Sequence, residues 1–265
     1  NYSSSSYNAM QVDVKHRYRN GLQWQLNYTW SKVLSDAMGD QQTRFEPFLD
    51  LNNGKLERAR TPFDLTHVAH VNGTYELPFG KGHRLLSSNA VVSRIVGGWT
   101  TGGILTWQTG APFSILSLRG TLNRSGNRAA QNTASTSMTG DQLQSVVGFY
   151  MTGDGPFFIN PANINPRDHR GTTQDGQAPF TGEAFFNPGA GTVGGLQRRM
   201  FNNPTAFNFD ASLTKITRIN DRQTVELRLE TVNALNHPSF YTGNNYGFGN
   251  TAGTPEARFN INSTS

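Results

Sequence analysis

Residues 20–32 read NGLQWQLNYTWSK, and apolar or aromatic side chains alternate strictly with polar ones along this stretch. The apolar positions are Leu22, Trp24, Leu26, Tyr28 and Trp30. A period of two residues is typical of a β-strand whose two faces meet different surroundings. Two kinds of surroundings fit the pattern: a protein core opposite water, or lipid opposite a polar lumen.

The same alternation recurs along the chain and predicts further strands. The predicted strands lie near 7–19, 22–32, 65–77, 98–109, 207–218 and 223–235. Asn20-Gly21 predicts a tight hairpin between the first two strands, and long loops are predicted at 33–64 and 119–206. Short joints therefore alternate with long ones. The pattern predicts an all-β, antiparallel up-and-down meander of about six to eight long strands, with residues 1–265 as one segment and its long loops on one end.

The composition fits many strands joined by turns. Hydrophobic residues make up 35% of the chain and charged residues 15%, below the usual shares of about 45–50% and about 25%. Aromatic residues at 11% argue against disorder. The net charge is +5, from basic residues that are mostly scattered singly with small pairs such as Arg58/Arg60 and Arg198/Arg199. This distribution is interpreted as solvated surface, and no nucleic-acid partner is expected.

Strand length favours lipid over a protein core. The predicted strands run about eleven to thirteen residues, whereas strands of soluble sheets usually have about 5–6 and membrane-spanning strands about 9–11. Trp99 and Trp107 share a face, and their spacing corresponds to roughly 21 Å along the membrane normal, close to the apolar band of about 25 Å in outer-membrane barrels. The sequence therefore predicts a partial transmembrane β-barrel in the cell outer membrane, in contact with outer-membrane lipid. The predicted membrane-interface aromatics are Trp24, Tyr28, Trp30, Tyr75, Trp99 and Trp107.

Two alternatives from other classes remain open at this point. One is a secreted structural or adhesive all-β protein that assembles or binds through long Asn/Gly-rich loops. The other is a soluble carbohydrate-binding sandwich, which requires aromatic side chains exposed on a flat face or a loop. Fractionation with outer membrane or with soluble and fibrous material separates these classes.

The sequence contains no recognised catalytic or metal-binding pattern. His67 and His70 are three residues apart in a strand and face opposite sides, so they cannot share a metal ion. Glu226 and Glu230 share a face with Arg228, which predicts a charge ladder rather than acid–base catalysis. Asp168 and Asp175 lack the spacing of a recognised calcium loop and are interpreted as turn residues. We expect no enzyme activity, no catalytic residue, no metal and no cofactor. The sequence does not identify ligand-binding residues.

Four collinear segments resemble a known family. They are SSYNAMQVDVKHRYRNGLQWQLNYTWSK, RTPFDLTHVAHVNGTYELPFG, GGWTTGGILTWQTGAPFSI and FNFDASLTKITRINDRQTVELRLETVNALNHPSF. They resemble the C-terminal β-barrel region of TonB-dependent outer-membrane receptors, in the Oar-like branch that has an N-terminal carboxypeptidase-regulatory-like domain. The resemblance covers about half the chain and brackets its variable loops.

The resemblance implies ligand recognition by surface loops and energy-coupled uptake of an unknown nutrient ligand through the barrel. Such receptors have a barrel of about 22 strands and a plugged lumen. We therefore expect this chain to be a fragment of a receptor. The implied partner TonB would act through a plug and a TonB box that are absent from these residues.

Overall fold

The computed structural model describes residues 4–36, 48–80, 90–117, 119–123, 132–153, 155–240 and 258–262. Their helices are α1 (Ala90–Val96) and α2 (Gly140–Val146), with 3-10 turns at Gly54–Glu57 and Pro161–Asn163. None of the helices in these ranges is long and apolar enough to cross a membrane. Their strands are β1 (Ser5–Arg19), β2 (Leu22–Ser35), β3 (Ala59–Arg60), β4 (His67–Glu76), β5 (Trp99–Gln108), β6 (Pro112–Leu116), β7 (Val147–Thr152), β8 (Gly155–Ile159), β9 (Phe201–Asn202), β10 (Ala206–Asn220), β11 (Gln223–Thr231) and β12 (Arg258–Asn260).

The long strands form one antiparallel sheet in the order β1-β2-β4-β5-β10-β11, and the short β3 pairs with the end of β2. Each long strand thus lies beside the long strand that follows it in the chain. The predicted all-β, antiparallel meander is confirmed. Within the described ranges the sheet stays open, with β1 and β11 as its edges.

The connections segregate to the two ends of the sheet. At the turn end, Asn20 and Gly21 join β1 to β2 with φ values of 53° and 83°, as a two-residue type I′ hairpin requires. Residues 221–222 join β10 to β11 at the same end, and 77–98 join β4 to β5 through α1. At the loop end lie the described parts of the connections 36–66 and 109–205 and the residues 232–240 that follow β11.

The register gives the sheet one apolar face and one polar face. A row across the middle of the apolar face pairs Val14 with Leu26, then Val71, Leu105 and Phe209. The adjacent row on the polar face contains Lys15, Gln25, Asn72, Ile104 and Asp210. Ile104 is the apolar exception in that row. The alternation seen in single strands is therefore continuous across the middle of the sheet.

No described hydrophobic side chain of these six strands is buried. On the apolar face, Met10 is 50% exposed, and Leu227 and Leu229 are each 60% exposed. A soluble sandwich buries the apolar face of each sheet against a second layer. The exposed apolar face found here instead fits contact with lipid.

The hydrophobic core lies at the loop end, outside the sheet. Its buried members come from segments far apart in the sequence and include Phe113, Ile115, Leu143, Ile159, Phe185 and Ile261. Thr139 begins α2 with a capping box to Gln142, and every residue of β6 is buried. We call the described parts of 48–60, 111–203 and 258–262 the loop-end unit. The segment 119–206, predicted as an irregular loop, contributes an organised core because its scattered apolar residues meet in space.

The TGAPF segment joins β5 to β6 and enters the loop-end unit through a close backbone contact. A side chain at Gly110 would overlap the carbonyl of Asn203. The Asn203 backbone N–H and side-chain amide both donate to the Ala111 carbonyl, at 3.0 and 2.9 Å. The glycine is required because the two backbone segments pass too near each other for a Cβ atom.

We expect Gly110→Ala to destabilise the fold by about 1–3 kcal/mol, the usual cost of overpacking. The measurement is the midpoint of urea unfolding, followed by tryptophan fluorescence. Gly140→Ala is the matched control, because a Cβ atom there has no neighbour within 4 Å. Equal midpoints for the two variants would contradict the close approach at Gly110.

Candidate membrane wall and ligand mouth

The apolar face carries the six predicted interface aromatics in two groups. The loop-end belt contains Tyr28, Trp30 and Trp107, and the turn-end belt contains Trp24, Tyr75 and Trp99. The register aligns Tyr28 with Ala69 and Ala69 with Trp107, and it aligns Tyr75 with Leu22 at the other end of the sheet. All six therefore share one face, three near each end. Their contact with the membrane interface stays a prediction.

In the loop-end belt the Tyr28 hydroxyl is paired with His67. The hydroxyl of Tyr28 lies 2.7 Å from Nδ1 of His67, and the His67 ring centroid lies 6.4 Å from that of Trp107. Trp30 is 48% exposed. His70 lies on the polar face, with Nδ1 3.3 Å from the Thr106 hydroxyl oxygen. The structure therefore places the two histidines on opposite faces and assigns His67 to the belt, a role the sequence did not indicate.

The turn-end belt also pairs rings with polar groups. Trp24 stacks on His16 with ring centroids 6.1 Å apart. The indole N–H of Trp99 donates to the Ile95 carbonyl at 3.1 Å, and the ammonium of Lys215 lies 5.0 Å from the centroid of the Trp99 ring. Trp99, a ring with an apolar body and a hydrogen-bonded N–H, suits the boundary between hydrocarbon and headgroups.

The polar face is concave and forms an open trough of about 640 Å³. Amides and hydroxyls line it together with Trp24, Ile104 and several glycines, and Gln23 donates to the Thr74 hydroxyl at 3.0 Å. Neighbouring charges are paired: the Lys15 ammonium lies 2.8 Å from the Asp13 carboxylate. The Arg228 guanidinium lies 3.3 Å from Glu230, as a charge ladder requires. Such a surface suits a wet lumen or a polar protein segment.

A second cavity of about 410 Å³, the mouth cavity, lies on the polar face near the loop end. Its lining includes Tyr7, Thr29, Ser31, Phe63 and His70. Tyr7 and Phe63 are 62% and 52% exposed. The lining thus offers aromatic faces together with hydroxyl and imidazole groups, which can stack on and hydrogen-bond to an organic ligand. The sequence did not identify these residues, because they come from three separate segments.

The RTPFD segment fixes the chain beside the mouth cavity. Asp64 is fully buried, and its carboxylate accepts hydrogen bonds from the backbone N–H of Val33 at 2.7 Å and from Arg60 Nε at 2.6 Å. Arg60 also donates to the Asn202 side chain at 2.5 Å. One ion pair thus ties β2 to two loop-end segments and positions the neighbouring Phe63.

A second ion pair, the fully buried loop lock of Glu57 and Arg198, joins the 48–60 segment to the 111–203 segment of the loop-end unit. The Arg198 guanidinium lies 3.0 Å from the Glu57 carboxylate, with 1% of each side chain exposed. Arg198 also donates to the Glu57 backbone carbonyl at 2.5 Å, and Glu57 accepts the Leu49 N–H at 2.7 Å. Burial lowers the pKa of the Arg198 guanidinium, and the charge of Glu57 opposes that shift.

The interpretation of the basic pairs as solvated surface is wrong for Arg198/Arg199. Arg199 is 1% exposed, and its guanidinium donates to the Arg60 carbonyl at 2.7 Å. Both arginines are buried because carboxylate and carbonyl oxygens of the 48–60 segment pair with their guanidinium groups. The sequence alone did not predict these contacts, since the partners lie well over a hundred residues apart.

The two aspartates that the sequence interprets as turn residues, Asp168 and Asp175, have protein partners. A hydrogen bond from Gln174, with a further one from the Arg170 N–H, lowers the pKa of Asp168 despite partial burial. Asp175 lies 2.6 Å from Arg119. Among the described residues, no group of three or more His, Asp or Glu side chains is arranged to hold a metal ion.

The family comparison covers nearly the whole chain. A family model described as an outer membrane beta barrel domain matches residues 1–261. No curated protein and no solved structure matches the chain. The exposed apolar face, the polar trough and the segregated loops agree with that family. The chain therefore belongs to the family of outer membrane beta barrel domains and is located in the outer membrane.

Proposed function

We propose that this chain is the barrel-wall and surface-loop region of a TonB-dependent receptor, which binds a bulky nutrient at the loop end and passes it through the lumen. The observation that carries the proposal is the placement of the mouth cavity. It lies on the same polar face as the trough and beneath a loop-end unit with its own core. The resemblance to the Oar-like branch supports the finer assignment.

The loop-end unit supplies a rigid wall for such a site. The ion pair of Arg60 with the buried Asp64 and the loop lock fix the segments around Phe63. A preorganised wall reduces the entropy lost when a ligand binds. Binding here requires no bond-making group, so the proposal assigns no catalytic step and no cofactor to these residues.

The outer-membrane assignment favours this proposal over the secreted adhesive protein. Both proposals use the long loops for binding. They differ in their use of the trough, because only uptake requires a path for the ligand along the polar face. Energy coupling is therefore the property that separates a receptor from an outer-membrane adhesin.

A lumen-facing thiol tests energy coupling in the full-length receptor in intact cells. Gln23 lies on the exposed polar face near the turn end, and the chain has no cysteine of its own. With any cysteine elsewhere in the full-length protein removed, Gln23→Cys should react several times faster with a membrane-impermeant maleimide in energised cells with TonB than in cells without it. The reason is that coupling moves the plug and opens the trough to the outside.

Gln177→Cys is the matched control, because Gln177 is exposed in the loop-end unit. It should react at one rate in both strains. Equal rates for Gln23→Cys with and without TonB would reject energy-coupled uptake and leave an outer-membrane binding protein.

A further inference from the structure

We infer that α1 is an interfacial anchor that docks on the phospholipid leaflet at the turn end of the barrel. The inference depends on the outer-membrane location and does not depend on uptake. Its starting point is the connection from β4 to β5, which contains a helix instead of a simple short turn.

Two side chains of the apolar face hold the end of this helix. Lys215 and Trp99 are register partners on neighbouring strands. The Lys215 ammonium donates to the carbonyls of Arg94, Ile95 and Gly97 at 3.0, 2.7 and 2.8 Å. The Trp99 indole donates to the Ile95 carbonyl as well. The last turn of α1 is therefore fixed beside the apolar face, on the outer side of the wall.

These contacts explain a lysine on a face that meets lipid. The last carbonyls of a helix lack partners within the helix and carry partial negative charge. Three carbonyl acceptors and the face of Trp99 together compensate the ammonium. The arrangement stabilises the charge near the membrane boundary, where an unpaired lysine would snorkel into water.

The backbone returns from α1 to β5 through a tight glycine turn. Gly98 has a φ of +71°, and a Cβ atom there would overlap the Ile216 carbonyl. The Ile216 N–H donates to the Gly98 carbonyl at 2.9 Å. These contacts hold the start of β5 and the end of α1 against β10, so the helix end follows the barrel wall closely.

The exposed side chains of α1 fit a phospholipid surface. Ile95 is 64% exposed, and Arg94 is also exposed. The apolar side chain is continuous with the lipid-facing face through Trp99, and the arginine complements a phosphate headgroup. Short turns of outer-membrane barrels lie on the periplasmic side. The occupant is therefore the glycerophospholipid of the inner leaflet, with Ile95 at the level of the acyl chains.

Lipid and aqueous quenchers test the location of Ile95. The full-length protein, with Ile95→Cys as its single thiol and labelled with bimane, is placed in vesicles of phosphatidylethanolamine and phosphatidylglycerol. Asp221→Cys, in the β10–β11 turn at the same end, is the control. A phospholipid with a nitroxide near the top of its acyl chain should quench the label at 95 at least twofold more than the label at 221. Iodide in the water should show the opposite order.

Equal quenching of the two labels by iodide, with no preference for the lipid nitroxide at 95, would overturn the anchor. Lys215→Met in the Ile95→Cys background tests the attachment. Lipid quenching at 95 should fall by about half, because the helix end is released. Unchanged quenching in a correctly folded variant, judged by its heat-dependent gel mobility, would overturn the role of Lys215.

Discussion

Glu57→Ala is expected to destabilise the loop-end unit by about 3–5 kcal/mol, the usual cost of leaving a buried charge without its partner. Arg198 would remain almost completely buried, and the Leu49 N–H would also lose its acceptor. Since about 1.4 kcal/mol is a tenfold change in an equilibrium constant, the open form of this unit should become roughly a hundredfold to a few thousandfold more populated.

Hydrogen exchange of peptides covering 48–60 and 196–203 measures that opening. Asp175→Ala is the control, because it breaks an ion pair in which Asp175 is 75% exposed, and such pairs contribute about 1 kcal/mol or less. Glu57→Leu combined with Arg198→Leu should recover part of the loss, because neither charge then remains buried alone. An effect of Glu57→Ala no larger than that of Asp175→Ala would show that the loop lock does not stabilise the unit.

Val71→Arg is expected to destabilise the barrel in lipid vesicles by about 2–4 kcal/mol, the cost of a cation at the bilayer midplane of a barrel. Val71 lies in the middle row of the apolar face, between Leu26 and Leu105. The side chain of an arginine there cannot reach either interface without bending the wall or the bilayer.

Asn72→Arg is the matched control for Val71→Arg, because the neighbouring residue is exposed on the polar face. It should change the free energy of unfolding by less than about 1 kcal/mol, as surface substitutions usually do. Urea unfolding in vesicles measures both variants. Equal effects would mean that the two faces meet the same medium.

Alternation predicted the sheet because a two-residue period is a local property of each strand. The predicted strand boundaries are wrong at some strand ends, because local backbone geometry determines where a strand stops. The strand predicted to reach residue 235 ends at Thr231, because Asn233 adopts a φ of 48° and its N–H donates to the Asp210 carboxylate at 2.8 Å. Neither contact is visible in the hydrophobic pattern.

The loop-end unit was not predicted because its core is assembled over long sequence distances. Phe113, Phe185 and Ile261 are each 1% exposed or less, yet no short period links them. One signal was readable: Thr139 followed three residues later by Gln142 is a capping box. The helix it begins was overlooked because the surrounding Gly, Asn, Pro and Ser residues indicate turns.

The candidate site was predicted only in part, because some of its residues follow the strand period and the others meet only through tertiary contacts. The six aromatics predicted for the membrane interface obey the strand period, and the structure places all six on one face, while their contact with the interface stays a prediction. The mouth cavity and the loop lock depend on tertiary contacts, such as that between Asp64 and the Val33 N–H. Residue type also misleads here, because a buried arginine and a solvated one look the same in a sequence.

Quenching by brominated phospholipids tests most directly whether hydrocarbon contacts the apolar face. The control variant has phenylalanine in place of all four tryptophans of the chain, at 24, 30, 99 and 107. The signal is the fluorescence of the unchanged protein minus the fluorescence of this variant. Bromines near the headgroup should quench this signal strongly, bromines near the bilayer centre less, and aqueous iodide least. A signal that no brominated lipid quenches would mean that protein or water covers the tryptophans, which would contradict a membrane wall.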